Sequence, residues 1–208
     1  ELSNEGHVYA IEEQLVEAAK KLLEADEEPI RQAISEMIAS EDLIRENEAI
    51  YLPPFYHSER GTAKKLLTLI NSQGANNLGL KADIKAIEKV SGIEYDEVQI
   101  AAIQQAVRSK MMVLTGGPGT GKTTTTLGII AAYKTAGMRI LLAAPTGRAS
   151  KRMSEATNME AKTIHRLLEF NPQDGYKRND ENPLEGDALI VDECSMIDII
   201  LMYNLMKA

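Results

Sequence analysis

The octapeptide Gly116-Gly117-Pro118-Gly119-Thr120-Gly121-Lys122-Thr123, followed by Thr124, carries the most explicit chemistry in this sequence. Its spacing is G-x-x-x-x-G-K-[ST], the pattern of a phosphate-binding loop. Glycines let successive backbone N–H groups curl around phosphate oxygens without side-chain clashes. A helix opening at Lys122 aims its positive end at the same anion. The Lys122 ammonium suits the β- and γ-phosphates, and the Thr123 hydroxyl suits Mg2+. A second constellation lies downstream, where Ala188-Leu189-Ile190-Val191 runs into Asp192-Glu193. A buried strand of an α/β sheet delivers such carboxylates to its carboxyl edge, beside a phosphate loop. Asp192 then holds Mg2+, directly or through water, and Glu193 accepts the proton of a water attacking the γ-phosphate. A solvated strand end also carries acidic pairs, so the four apolar residues and the upstream loop are what give this pair its meaning.

Gln99 sits three residues after Asp96. Asp96-x-x-Gln99 is the spacing of a helix capping box. The same amide can read an adenine edge, donating to N7 and accepting from the N6 amino group. The two uses compete for one side chain, and the sequence leaves both open.

These residues need a scaffold of alternating helix and strand. Apolar periodicity predicts a helix over 97–108, an apolar strand over 111–114, the glycine loop, and a helix from 122 to 134 that ends near Gly137. Strands follow at 139–144 and 188–191, so a mainly parallel sheet covered by helices is expected. The front of the chain reads differently. A short strand at 6–9 precedes a helix with Ile11, Leu15, Ala18, Ala19, Leu22 and Leu23 on one stripe. Pro29 suits the first turn of a second helix, whose stripe is Ile30, Ala33, Ile34, Met37 and Ile38. Short strands at 43–44 and 49–52, with 45–48 as their turn and Pro53-Pro54 as a stop, complete a small winged-helix-like unit. Helices at 62–70 and 82–90 flank a loop at 74–79, with Ser91-Gly92 as the second helix's end.

Composition narrows the class. The formal net charge is −8, yet residues 1–60 hold 15 Asp/Glu against 5 Lys/Arg, and the remaining residues hold 16 against 18. The acidic front is a poor grip for a phosphate backbone, because DNA affinity rests largely on Lys and Arg; a structural or protein-contacting role suits it better. Arg139, Arg148, Lys151, Arg152, Lys162 and Arg166 read as a local basic cluster in the back half. No apolar run is long enough to span a membrane, and the first residues lack the features of a secretory signal. Cys194 is the single cysteine, so no internal disulfide forms and a reducing, cytoplasmic setting is expected. It is expected to be a small buried side chain beside the carboxylates.

Five ordered blocks together resemble superfamily 1 DNA helicases of the RecD/TraA type. They are Tyr95-Asp96-Glu97-Val98-Gln99, Leu114-Thr115 with the glycine loop through Thr124, Ala144-Pro145-Thr146-Gly147-Arg148-Ala149, Thr163-Ile164-His165-Arg166-Leu167-Leu168, and Val191-Asp192-Glu193-Cys194-Ser195-Met196. Residues 1–70 are similar to the helical and winged region that precedes the motor in stand-alone RecD-like helicases. The resemblance implies an α/β fold: a RecA-like P-loop NTPase sheet, preceded by an α-helical and winged region. The division expected is 1–60 winged, 61–94 helical connector and 95–208 a first motor domain. It implies ATP hydrolysis coupled to 5′→3′ movement on single-stranded DNA, in repair or recombination. Pro145, Thr146, Gly147 and Arg148 would touch the DNA backbone, with Thr163 and His165 on the same path; His165 could equally be a packing residue. The family's next strand and second motor domain are absent from the sequence. A C-terminally truncated sheet is therefore expected, which binds ATP–Mg2+ but turns it over slowly. A different phosphate-loop enzyme not acting on DNA, or an adaptor with a vestigial loop, are the competing readings.

Overall fold

The computed structural model describes residues 6–72, 83–117 and 119–208. The loop expected at 74–79, the first residue of the 82–90 helix, Pro118 and the opening five residues lie outside them. Contacts divide the chain into two compact units, Glu1–Lys64 with Asp198–Met206, and Lys65–Ile197 with Lys207–Ala208.

In the first unit β1 (Tyr9–Ile11), α1 (Glu12–Leu23), α2 (Glu27–Ala39), β2 (Ile44–Glu46) and β3 (Ala49–Tyr51) are followed by α3 (Pro53–Asn71). The strands form an antiparallel sheet in the order β1-β3-β2. β1 falls later than the 6–9 expected, because its register pairs Ile11 with Ala49 and the Glu12 N–H then donates to the Glu48 carbonyl at 2.9 Å. The expected turn at 45–48 shrinks to two residues. Asn47 takes φ 56°, which Asn tolerates better than most residues, so Arg45 and Glu46 stay in the ladder opposite Ile50 and Ala49. Val16 packs with Ile30 and Ile34 between α1 and α2. The two apolar stripes outrun that contact, and Leu22, Leu23 and Met37 stay 67%, 65% and 42% exposed.

Pro53 and Pro54 follow the end of β3 and open α3, since proline fits a helix's first turn, where its missing N–H costs nothing. The boundary expected between residues 60 and 61 therefore falls inside one helix. Gly61 on α3 makes room for α9 (Ile199–Lys207): a Cβ there would stand 2.3 Å from Tyr203 Cε2. That packing puts Asp198–Met206 with the first unit, where a single motor domain over 95–208 was expected.

The second unit holds α4 (Ile84–Ser91), α5 (Glu97–Arg108), α6 (Lys122–Thr135), β4 (Ile140–Ala144), α7 (Gly147–Thr157), β5 (Ala161–Thr163), α8 (Ile164–Leu167), β6 (Phe170–Asn171), β7 (Gly175–Tyr176) and β8 (Ala188–Val191). A parallel sheet runs β5-β4-β8, with Ala144 opposite Thr163 and Ala143 opposite Val191. The apolar run 111–114 forms no strand. A run becomes a strand only where a neighbouring edge takes its hydrogen bonds, and no described strand pairs with it. Met112 still packs on the core, whereas Val113 faces outward at 76% exposure.

That core joins α4, α5 and α6 through Ile87, Tyr95, Ile103, Val107, Ile129 and Ala132. Ile130, on another side of α6, meets Leu142 of β4 and Met153 of α7. Gly128 marks the closest approach of α5 and α6. A Cβ there would lie 2.4 Å from Ile103 Cδ1 and 3.0 Å from Tyr95 Cε1, and Ile103 is fully buried. Overpacking of this kind costs about 1–3 kcal/mol. A Gly128→Ala chain is therefore expected to unfold at a lower denaturant midpoint with an unchanged slope, as urea titration would read.

At the amino edge of the sheet, Asp187 accepts from the Arg139 backbone N–H at 2.8 Å and from its guanidinium Nε at 3.1 Å and Nη2 at 3.2 Å. These hydrogen bonds, the side-chain one first, hold the Asp187 carboxyl below its usual range. A depressed value contributes stability that is present above the ordinary carboxylate value of about 3.9 and lost as pH falls through the depressed one. An Asp187→Asn chain should melt lower than the parent at neutral pH, with the gap closing below about pH 4 and shrinking in high salt. Thermal melts from pH 2 to 7 check it.

Candidate nucleotide site

Three strands of the parallel sheet end together. β4 leads to Pro145, β5 ends at Thr163, and β8 leads to Asp192, so their registers bring residues 145–148, 163–165 and 192–193 to one carboxyl edge. α6 is joined to β4 by the short turn 136–139 and packs on it through Ile130 and Leu142. Its 14 residues span about 21 Å at 1.5 Å per residue. The helix thus runs back along the strand, and Lys122 and Thr123 open it toward that same carboxyl edge.

The loop before α6 is built by its glycines. Gly119 and Gly121 have φ of 73° and 79°, the left-handed region that a Cβ disfavours. The Lys122 ammonium donates to the Gly116 carbonyl at 2.6 Å and the Gly117 carbonyl at 2.7 Å, and Thr120 Oγ1 donates to Gly117 at 2.9 Å. Gly121 is the N-cap of α6 and offers no side chain to it, and no acidic residue occupies the first turn. The leading N–H groups of a helix have no partner within it. In α4, α5, α7 and α8, Asp83, Asp96, Thr146 and Thr163 supply an acceptor. At α6 the amides of Lys122, Thr123 and Thr124 have no such cap, and a phosphate fits there.

Gln99 closes the capping box of α5 and also stands beside the phosphate loop. Its Oε1 accepts from the Asp96 N–H at 3.1 Å, and its own N–H donates to Asp96 Oδ1 at 2.8 Å, which completes the capping box of α5. Its Nε2 stands where a Cβ on Gly121 would come within 2.7 Å. The amide oxygen is thus engaged with the helix start, its second lone pair is still available, and the NH2 faces the phosphate loop.

Asp192 extends the β8–β4 ladder by one bond, donating its N–H to the Ala143 carbonyl at 3.0 Å, and its Oδ1 accepts from the Glu193 N–H at 2.9 Å. Glu193 has φ 54° and ψ 40°, a left-handed conformation that turns the chain into the 3-10 turn Cys194–Met196. In an extended strand, consecutive side chains take opposite faces; this turn breaks that alternation just after Asp192. Both carboxylates and Thr123 are exposed. Cys194 is exposed too, contrary to expectation, because the 3-10 turn lifts it off the strand; its Sγ lies 3.3 Å from the Val191 carbonyl. Partial burial of the sulfur and the Asp192 charge push its thiol up, so it is a poor nucleophile. No described group of three or more His, Cys, Asp or Glu could cage a metal. Mg2+ in phosphate-transfer sites needs only one or two protein ligands, with phosphate and water completing the shell, which Thr123 and Asp192 fit.

At the neighbouring strand ends, Thr146 and Thr163 are helix caps. Their hydroxyl oxygens each accept a backbone N–H, from Ala149 and Arg166 respectively, at 3.2 Å. Pro145 is half-buried, while Gly147 and Arg148 are exposed. Arg148, Arg152 and Arg166 take no carboxylate partner among the described residues. Arg139 does not belong to the basic cluster. It precedes β4 whereas Arg148 follows it, so the strand separates them by about 16 Å at 3.3 Å per residue, and Asp187 neutralises it.

His165 is exposed and packs against two other rings, edge-on to Phe170 at 5.6 Å and tilted against Tyr176 at 6.0 Å between centroids. The last two belong to the β6–β7 hairpin and pair directly across it. Sequence reasoning missed this hairpin. Its signal was Asp174-Gly175 between aromatic residues, with Gly175 at φ 75° and Asn171 Oδ1 accepting the Gln173 N–H at 3.0 Å.

A family model described as an AAA domain matches residues 99–208. The chain is 37% identical over 174 residues to the ATP-dependent RecD2 DNA helicase of Deinococcus radiodurans, covering 84% of this chain and 24% of that protein. It is 32% identical over 186 residues to the RecBCD enzyme subunit RecD of Mycobacterium tuberculosis, covering 78% and 31%. It is 33% identical over 174 residues to the same subunit of Haemophilus influenzae, covering 72% and 26%. The chain thus spans about a quarter to a third of the length of these relatives.

Proposed function

Since the chain belongs to the AAA domain family and is a RecD-like superfamily 1 helicase sequence, we propose that it carries the nucleotide-binding part of a motor that hydrolyses ATP–Mg2+ to move 5′→3′ along single-stranded DNA. The uncapped, acid-free start of α6 is the observation that supports this most, because it opens toward the sheet edge that also bears Asp192 and Glu193.

The amides after Gly121 bind the phosphates, with Gly116, Gly117, Gly119 and Thr120 in the loop around them. Lys122 exchanges the Gly116 and Gly117 carbonyls for β- and γ-phosphate oxygens. Gln99 orients the adenine through its free NH2 and the remaining lone pair of its oxygen. Thr123 and Asp192 hold Mg2+, which when bound offsets the negative charge on the phosphates. Glu193 accepts a proton from the water that attacks the γ-phosphorus, and ADP leaves with the bridging oxygen. Gly147, Arg148 and the N-termini capped by Thr146 and Thr163 line the path of the DNA backbone, with Pro145 and His165 beside it. The first unit, whose helix pair leads into an antiparallel ribbon, is a winged-helix-like module.

Steady-state ATP turnover by the full-length protein, with and without single-stranded DNA, is the test. Stimulation by DNA is expected; a phosphate-loop enzyme acting on small molecules is indifferent to it. Arg148→Ala should weaken DNA binding and lower the log–log salt slope by about 0.7, the share of one phosphate contact on a single strand. An unchanged slope removes Arg148 from the DNA path.

A further inference from the structure

The first unit contains a groove of about 360 Å³, bordered by α1 and the strands β1 and β3. That volume is at the small end of the range for binding clefts, about 300–1,000 Å³. Leu15, Ala19 and Leu22 line one side, and Tyr9, Ile50 and Leu52 the other. Ile50 is buried and forms the floor. Leu22, Leu52 and Tyr9 remain 67%, 47% and 45% exposed at the rim. Scattered single apolar residues on a surface carry no message, but a contiguous row along one concavity marks an interaction site.

Charge identifies the occupant. Residues 1–60 hold three acidic side chains for each basic one, and four of their five cations are already engaged. Arg31 pairs with Glu13 and Glu27, Arg45 with Glu12, Arg60 with Glu46, and Lys20 with Glu17 and Glu27. Asp42 adjoins the groove-lining Leu43, and Glu48 lies two residues before Ile50. Tyr51, also on the groove, is pushed up to about 12 by burial first and then by its hydrogen bond with the Glu59 carboxylate, which adds one more negative charge beside a lining residue. An apolar trough in a field of negative charge repels anionic lipid and nucleic acid and attracts an apolar segment flanked by cations.

We infer that this groove docks an amphipathic helix from a partner protein, with leucine-sized residues at i, i+3 or i+4 and i+7 in the trough and Lys or Arg on its flanks. Helix-in-groove recognition uses that spacing because those positions share one face. The inference does not rest on the proposed motor activity, since none of its residues lies in the nucleotide site.

Fluorescence anisotropy of the 208-residue chain with a labelled 18-residue Leu/Lys amphipathic helix tests it. The comparison probes are a Leu/Glu helix of the same pattern and a scrambled Leu/Lys peptide. The Leu/Lys helix should bind at least tenfold more tightly than either. The double change Leu22→Asn and Leu52→Asn should remove at least tenfold of that affinity while circular dichroism stays the same, because both side chains are already exposed at the rim. Leu23→Asn, equally exposed but outside the lining, should leave binding intact. Equal binding of the three peptides, or binding indifferent to the double change, overturns the inference. So does a concentration-dependent dimer in sedimentation equilibrium that the double change dissolves, which would make a second copy the occupant. Binding to phosphatidylserine vesicles through the same residues overturns it as well.

Discussion

A Lys122→Ala chain is expected to bind ATP–Mg2+ about a hundred- to a thousandfold more weakly than the parent. Hydrogen bonds to charged groups contribute about 1.5–3 kcal/mol each, and in the proposed site Lys122 exchanges its two carbonyl partners for two phosphate oxygens that carry far more negative charge. About 3–4 kcal/mol of net loss corresponds to that range at 1.4 kcal/mol per tenfold. The fold should hardly change, because the side chain is only half-buried and spans the loop rather than the core. Titration with a fluorescent ATP analogue, beside a thermal melt, reads both quantities. Parent-like affinity would show that the phosphates sit elsewhere, and the assignment of the glycine loop would fall with it.

Glu193→Gln separates binding from chemistry. The amide keeps the side chain's size and can no longer take a proton, so turnover by the full-length protein should drop by about 10²–10⁴-fold, the usual contribution of a general base. Nucleotide affinity should change less than threefold, because the proposed site holds the phosphates with the loop and leaves Asp192 in place. Single-turnover ATP cleavage and equilibrium binding distinguish the two effects. A drop in affinity that matches the drop in rate would assign Glu193 to holding the ligand instead.

The parts of the molecule that local chemistry dictates were legible in the sequence. The helix at 97–108 matches α5 at both ends, since Asp96 and Gln99 close a capping box there, and 122–134 falls one residue short of α6. β8 was readable from four apolar residues, and β4 to within one residue of its start. What was not legible depends on partners distant in the chain. The run 111–114 has a strand's composition and no edge to pair with, and composition cannot report a missing neighbour. β5 is three residues long and exists because Leu142, Ala143 and Ala144 offer it a ladder. Pro53-Pro54 reads equally as a stop and a start, and only the 19-residue helix behind it decides. Within the site, the residue types were readable from spacing, and their double duties were not. Thr146 and Thr163 cap helices at the sheet edge, and Gln99 serves α5 and faces the loop at the same time.

The left-handed backbone of Glu193 has a consequence for anyone improving this protein. A side chain with a Cβ pays about 1–2 kcal/mol to sit there, and glycine or asparagine sits there more comfortably. Directed evolution scored on heat tolerance alone would therefore favour Gly or Asn at position 193 and enrich for sturdier proteins that have lost their carboxylate. A thermostabilised variant of this chain needs a catalytic counter-screen at that one codon.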